Sequence, residues 1–303
     1  MKILITGGSG FLGSNLTSYL KKKHDVISCS SKELDLFNFS SFSKFKNIKF
    51  DIIYHLAAWT QAGDFCLYHP GEQWVKNQLI NSNILKYWVE KQKQALMVSM
   101  GTSCSYDPEL KHHEKNYLKG KPIQSLFTYA MTKRMLHIGQ ESLSQQFGLK
   151  YLTIVPSTLY GINYHTDDRQ MHFIFDLIKK ILNGKKYNEK VLLWGDGHQK
   201  REIIFIDDFI RDMMFLSTNK NVKKNQIFNI GSGKEFAIRD FAKVICKIVD
   251  YDFKKIFFDK TKYTGAKSKF LINSKIKRNL KKYKRLSLEI GLRKTINWYS
   301  QFI

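Results

Sequence analysis

Lys2-Ile-Leu-Ile-Thr6 running into Gly7-Gly-Ser-Gly10-Phe-Leu-Gly13 decides the fold. A short apolar run that breaks into glycines reads as a buried first strand delivering the backbone to a phosphate-sized ligand. Glycines permit a tight turn, close approach to a pyrophosphate and close helix packing, and the following helix turns its positive end toward the anion. Gly8, Gly10 and Gly13 satisfy G-x-G-x-x-G, and Gly7, Gly10 and Gly13 the wider G-x-x-G-x-x-G, with Phe11 and Leu12 opening the helix. The strand before and the helix after are the context such a motif requires.

The chain has 303 residues, enough for one large core or two coupled domains, with a globular content of apolar and aromatic residues. Because residue 2 already belongs to the first strand, no signal peptide is expected, and no apolar run is long enough to span a bilayer. A cytoplasmic location without membrane attachment is the expectation. The four cysteines, at 29, 66, 104 and 246, form no C-x-x-C pair and have no histidine spacing suited to zinc, so neither a metal nor a disulfide framework is expected. The net charge of +24 comes mostly from lysines spread along the chain, densest from Lys275 through Lys284. No nucleic-acid module accompanies it, so no nucleic-acid partner is expected, whereas an anionic substrate is favoured by such a field.

Phe11 to Lys23 predicts a helix and Val26 to Cys29 a second strand. In a dinucleotide fold the end of this strand meets the adenosine ribose. Here it ends in Ser30, Ser31 and Lys32, two hydroxyls and a cation that suit a 2′-phosphate better than a free diol, so NADP is preferred; Glu33 is the counter-candidate for NAD. Glu33 to Leu36 predicts a short third strand whose Asp35 meets the adenine. Asp51 to Leu56 predicts the fourth, after which Ala57 and Ala58 let the backbone pass close to a cofactor. Gly71 to Lys91 predicts a helix, with Asn77, Asn81 or Asn83 able to brace the sheet. Ala95 to Met100 predicts the fifth strand, releasing the chain into Gly101-Thr-Ser-Cys-Ser-Tyr106. This alternation implies an α/β fold of Rossmann type, a doubly wound parallel sheet with ligands at the carboxyl ends of its strands.

Ser125 to Phe147 predicts the next helix, in which Tyr129 and Lys133 share a face. A lysine beside a phenol is expected to lower the phenol's pKa toward neutrality, for proton exchange with a carbonyl or alcohol oxygen. The Tyr/Lys spacing also occurs at 19/23, 87/91, 117/121, 251/255 and 263/267. Only Tyr129 lies in the helix following the fifth strand, beside the nicotinamide end of the cofactor. Lys150 to Val155 predicts a sixth strand, closed by Pro156-Ser-Thr-Leu-Tyr-Gly161. The clean alternation then stops. A helix over Met171 to Asn183, a strand over Val191 to Trp194, a strand over Arg201 to Ile206 leading into a helix capped by Asp207 and Asp208, and a strand over Gln226 to Ile230 follow; from Ile238 onward the pattern is helical and basic. The expected division is a dinucleotide-binding domain over residues 1–161, possibly rejoined by 201–233, and a smaller substrate domain over 162–303.

With these elements in place the chain resembles the extended short-chain dehydrogenase/reductase superfamily, through the TGGSGFLG turn, the HLAA after the fourth strand, Tyr129-x-x-x-Lys133 and the PSTLYG segment. Within it the chain is similar to the GDP-L-fucose synthase family, through Gly101-Thr-Ser-Cys-Ser-Tyr106, Pro156 to Gly161, His172, and Trp194-Gly with Arg201-Glu. That family epimerises and then reduces GDP-4-keto-6-deoxymannose with NADPH, and surface polysaccharide precursor synthesis is the implied setting. The resemblance implies that Thr102 is the active-site hydroxyl, Tyr129 the proton donor, Lys133 the ribose ligand, and Cys104 and His172 the epimerase pair. It also implies substrate contacts at Ser103, Lys180, Trp194 and Arg201, and a homodimer. Trp59-Thr-Gln-Ala-Gly63, Thr102-Ser-Cys104 and Asp107-Pro108 depart from the family pattern, which leaves the sugar and nucleotide open. The alternatives are a 4-epimerase that keeps its NAD and a cofactor-binding scaffold with a basic interaction surface.

Overall fold

A computed structural model describes residues 1–63, 65–167, 169–262, 267–280 and 285–303. Tyr263 and the stretch 281–284 of the basic segment therefore lie outside the described residues. β1 (Lys2–Thr6), β2 (Asp25–Cys29), β3 (Ile52–His55), β4 (Leu96–Met100), β5 (Tyr151–Pro156) and β9 (Gln226–Ile230) form one sheet in the order β2-β1-β3-β4-β5-β9, every pairing parallel. Parallel strands need a covering on both faces. Ile3 and Ile5 face α1 (Phe11–Leu20) and a core that continues into α6 (Ile206–Thr218), while Leu4, Ile53 and Met97 face α3 (Pro70–Lys91) through Ile84 and Trp88. α4 (Phe127–Phe147) lies beside α3 and connects β4 to β5.

The strand expected over Glu33 to Leu36 is not formed. Leu34 and Leu36 are buried, but Asp35 turns outward and its carboxylate accepts the Phe37 amide at 3.0 Å. A 3-10 turn over Phe39–Phe45 follows and seats Phe42 on Tyr87, ring centroids 4.3 Å apart. Two buried leucines at alternate positions mimic a strand, but they join an aromatic cluster in which Phe42 and Phe45 of that turn meet Tyr87 and Trp88 of α3. β2 is consequently an edge strand.

The second half is built from β6 (Thr158–Tyr160), β7 (Val191–Trp194), β8 (Lys200–Phe205), β10 (Glu235–Ala237), β11 (Ile256–Asp259) and β12 (Ser268–Lys269). β8 pairs with β6, β10 and β12, and β7 pairs with β11. α5 (Phe173–Tyr187) packs on α7 (Ile238–Val249). After Ile238 the chain is thus not helical throughout. β11 and β12 interrupt it, and a two-residue strand leaves no periodic trace. α6 begins two residues earlier than a cap by Asp207 demands: Phe205 is the cap residue, and Asp207 and Asp208 sit inside the first turn. Asp208 is buried, accepts the Leu286 amide at 3.0 Å and meets Arg211 at 3.2 Å, a structural role.

Candidate active site

The carboxyl ends of β1, β3, β4 and β5 gather the expected cofactor residues at one edge of the sheet. Gly7 has φ +72°, a left-handed conformation that side chains avoid, and a Cβ there would come within 2.8 Å of the Ala57 amide nitrogen. A Cβ on Gly13 would overlap the Gly7 carbonyl oxygen. The Leu56 amide bonds the Thr6 carbonyl at 3.2 Å, so Leu56, Ala57 and Ala58 run directly past the turn. α1 starts after Gly10 without a side-chain cap or an acid in its first turn, and the unbonded amides of a helix's first turn favour an anion. This cradle has room only while its glycines lack side chains, and it fits a dinucleotide pyrophosphate. Among the described residues, no cluster of His, Cys, Asp and Glu is placed to hold a metal.

At the end of β2 the Ser30 amide donates to Glu33 Oε2 at 2.7 Å, and Ser31 and Lys32 are exposed beside it. That hydrogen bond holds the Glu33 carboxyl below its ordinary value. One turn therefore presents both the hydroxyls and cation suited to a 2′-phosphate and the acid suited to a free ribose. Pro156 closes β5, where the following Ser157 amide bonds the Ile230 carbonyl at 3.0 Å.

Thr102 follows β4, is buried, and accepts the Cys104 amide at 3.2 Å. The Tyr129 phenol is raised above its ordinary value, by burial first and then by Cys104, Cys66 and Tyr117, with nearby Thr102 acting in the opposite sense. The expected lowering by Lys133 does not occur. The lysine Nζ stands over the Tyr129 ring, 5.9 Å from its centroid, and is not among the groups that shift the phenol, which burial raises. Burial likewise pushes the Lys133 ammonium down to about 8. Tyr129 is accordingly a protonated donor at neutral pH.

Cys104 is half-buried, and its Sγ accepts a hydrogen bond from Lys269 Nζ at 2.9 Å. Burial works against a thiolate there, but the Lys269 charge and hydrogen bond, with those of Thr102 and Ser103, outweigh it and hold the thiol below its ordinary value. His172 caps α5, its amide donating to the Tyr164 hydroxyl at 3.1 Å. The residue is exposed to solvent. Desolvation by the surrounding protein, then Lys269 and His165, push the imidazole below its usual range.

Two cavities adjoin these groups. One of about 550 Å³ is lined by Ser103, Cys104, Arg201 and Lys269. The other, of about 750 Å³, is lined by Lys180, Trp194 and Arg201, with Met171 and Phe173 flanking His172. Arg201 belongs to both walls and joins them. Lys180 carries an ion pair with Asp176 at 2.8 Å, and the Trp194 indole is 58% exposed, a large aromatic face left open to the larger cavity.

A model of the NAD dependent epimerase/dehydratase family matches residues 3–231. The chain belongs to that family. The match covers the glycine turn, Thr102, Tyr129 and Lys133. Relatives similar over nearly the whole length include GDP-L-colitose synthase of Yersinia pseudotuberculosis, 30% identical and covering 99% of this chain and 98% of its own, and GDP-L-fucose synthase of Dictyostelium discoideum, 27% identical and covering 98% and 94%. Among solved structures, the NADP-bound GDP-L-fucose synthetase of Naegleria fowleri superposes with a TM-score of 0.87 at 21% identity, covering 99% of this chain and 94% of its own.

Sequence reasoning named Asn77, Asn81 and Asn83 as possible braces without deciding among them, and missed the His55 link and Lys269. Asn81 Nδ2 bonds the Thr132 carbonyl at 3.3 Å, and Asn81 Oδ1 lies 3.4 Å from His55 Nε2, while His55 Nδ1 reaches Thr6 Oγ1 at 2.9 Å. This chain ties β1, β3 and α3 to the turn of α4 that carries Tyr129. Asn77 braces the loop after β3 through both backbone groups of Trp59. Lys269 was missed altogether, because one lysine among so many carries no local mark.

Proposed function

We propose that the chain reduces the C4 keto group of a GDP-linked 4-keto-6-deoxy sugar with NADPH, with C3 and C5 epimerisation in the same site. The observation that carries this reading is the pairing of opposite environments: Tyr129 of α4 is enclosed and kept protonated, while Cys104, in the turn after Thr102, has the Lys269 ammonium 2.9 Å from its sulfur and is biased toward thiolate. Two titratable groups pushed apart in this way mark an acid and a base. The names of the full-length relatives, GDP-L-colitose synthase and GDP-L-fucose synthase, support a GDP-sugar, and the NADP held by the Naegleria fowleri protein supports that cofactor.

When bound, the dinucleotide supplies hydride. Gly7, Gly10 and Gly13, with Phe11 and Leu12 at the start of α1, would hold its pyrophosphate, Ser30, Ser31 and Lys32 its 2′-phosphate, and Lys133 its ribose. Thr102 and Tyr129 orient the sugar's ketone oxygen, and Tyr129 gives it a proton as it is reduced. Hydrogens beside a ketone are acidic, so a Cys104 thiolate removes one from carbon on one face and His172 returns one on the other. An anionic diphosphate nearby raises the imidazole toward its charged, donating form. Lys180 and Arg201 attract the diphosphate, and Trp194 stacks on the base.

The same reading assigns a dinucleotide domain to residues 1–161 and a sugar-binding domain to 162–303, and a cytoplasmic location; among the described residues no helix is long and apolar enough to cross a membrane. It includes a homodimer through α3 and α4, supported by Trp74, Val75 and Leu79 exposed on one and Met135 and Ile138 on the other. The test is incubation with NADPH and GDP-4-keto-6-deoxymannose in deuterated water. Stoichiometric NADPH oxidation with deuterium at C3 or C5 is expected. Turnover that consumes no NADPH would replace this reading with a cofactor-retaining 4-epimerase.

A further inference from the structure

Lys269 and Cys104 are 165 residues apart, yet their Nζ and Sγ atoms lie 2.9 Å apart. The lysine is not a loose surface side chain that happens to fall there. β12 lies along β8 with Lys269 in register with Arg201, and backbone and side-chain bonds anchor it on both sides. Before it, the Lys200 amide bonds the Lys267 carbonyl at 2.8 Å and Ser268 Oγ donates to Glu235 Oε2 at 2.6 Å. After it, the Leu271 amide donates to Glu202 Oε2 at 2.9 Å and the Ile272 amide to the His112 carbonyl at 2.9 Å. Holding a lysine side chain in one rotamer costs conformational entropy. The backbone anchors confine that cost to the side chain itself.

The thiol is fixed from its own side as well. Cys104 sits in a 3-10 turn over Ser103–Ser105 that Thr102 caps, so the sulfur is presented to the cavity from a rigid base. The groups facing it are Tyr129 of α4, Tyr117, Cys66 of α2 (Phe65–Tyr68) and Lys269; His112, Lys267 and Arg201 share the cavity wall. Of those facing groups Lys269 is the cation, while Tyr129, Tyr117 and Cys66 are weak acids raised by burial and carry no charge at neutral pH. Cys29, Cys66 and Cys246 are buried, which leaves Cys104 as the accessible thiol of the four.

We propose that Lys269 is the positioning residue that holds Cys104 as a thiolate, so that the carbon base is formed before the sugar arrives. This rests on the reading of Cys104 as the epimerase base. It assigns the C-terminal part of the chain a task beyond gripping the nucleotide: β12 brings the cation that makes a residue of the dinucleotide-binding half reactive. A thiolate, and not a thiol, is the competent base and nucleophile, and a neighbouring ammonium is a standard means of forming one.

The test is the rate of Cys104 alkylation by iodoacetamide from pH 6 to 9.5, followed by peptide mass spectrometry in the wild type and in Lys269→Met and Lys269→Arg variants. The wild-type midpoint is expected below the ordinary thiol value of about 8.5. Lys269→Met should move it up by at least one pH unit and slow alkylation at pH 7 about tenfold, and Lys269→Arg should restore most of the difference. Dinucleotide binding by each variant checks that the fold is intact. A wild-type midpoint at or above the ordinary value, or identical wild-type and Lys269→Met profiles, overturns the proposal. Deuterium uptake by the sugar in Cys104→Ser is scored separately: if uptake persists while the Lys269→Met profile shifts, the pairing stands and the base assignment falls.

Discussion

Lys133 and Tyr129 lie one turn apart on α4, with the lysine Nζ over the tyrosine ring, 5.9 Å from its centroid. Its burial brings the ammonium to about 8. Below that pH Lys133 is charged, and above it neutral, so affinity for an anionic dinucleotide should fall as pH rises through about 8. Binding near that pH should draw in protons. Calorimetry in two buffers of different ionisation heat measures the uptake, and Lys133→Met should abolish it. For folding the sign is reversed: the unfolded lysine holds its proton up to about 10.5, so this group's contribution to stability rises between about 8 and 10.5.

Tyr129→Phe keeps the ring and removes the proton. NADPH oxidation should drop by about 100- to 10,000-fold, the range for loss of a general acid, with dinucleotide affinity retained. Unchanged turnover would remove Tyr129 from the chemistry.

Gly13→Ala places a methyl group against the Gly7 carbonyl. Overpacking of backbone on backbone costs about 1–3 kcal/mol, and the displaced turn can no longer follow a pyrophosphate. Both a lower melting temperature and weaker dinucleotide binding are expected. Loss of stability alone would mean that the turn is merely structural.

Trp194→Ala removes an exposed aromatic face from the larger cavity. Stacking is worth about 0.5–1.5 kcal/mol, so the variant should show roughly a 2- to 13-fold higher KM and the same kcat. Titration with GDP alone, which lacks the sugar, isolates the contact.

Arg285→Met breaks a different kind of pair. Arg285 donates to the fully buried Asp212 at 2.5 Å and also to the Gly231 carbonyl. Removing one member of a buried charge pair costs about 3–5 kcal/mol, measured by denaturant unfolding, and Asp212→Asn in the same chain should recover part of it. The pair pins the start of the C-terminal segment to α6, far from the chemistry.

Much of this site was legible along the chain because it depends on local pattern. The β1 turn, the strand ends at Ala57 and Thr102, and the helical spacing of Tyr129 and Lys133 are all set within short stretches, and all meet at one edge of the sheet. Where local pattern was ambiguous, neighbours decided. Leu34 and Leu36 alternate like a strand, yet the Phe42–Tyr87 stack draws that segment onto α3 instead. Similarly, the phenol's direction of shift depended on how deeply Tyr129 is enclosed and on where Lys133 points, neither of which spacing reveals.

The glycine turn, its flanking strand and helix, and the succession of buried strands determined by themselves that this chain folds as a dinucleotide-binding α/β protein, because backbone freedom and hydrophobic periodicity act between near neighbours. Tertiary structure alone decided which of the many lysines reaches Cys104, that Arg201 joins two cavities, and that Asn81 links His55 to the Tyr129 helix. Those relations arise from strand pairing and packing between segments up to 165 residues apart, and no short stretch of sequence contains them.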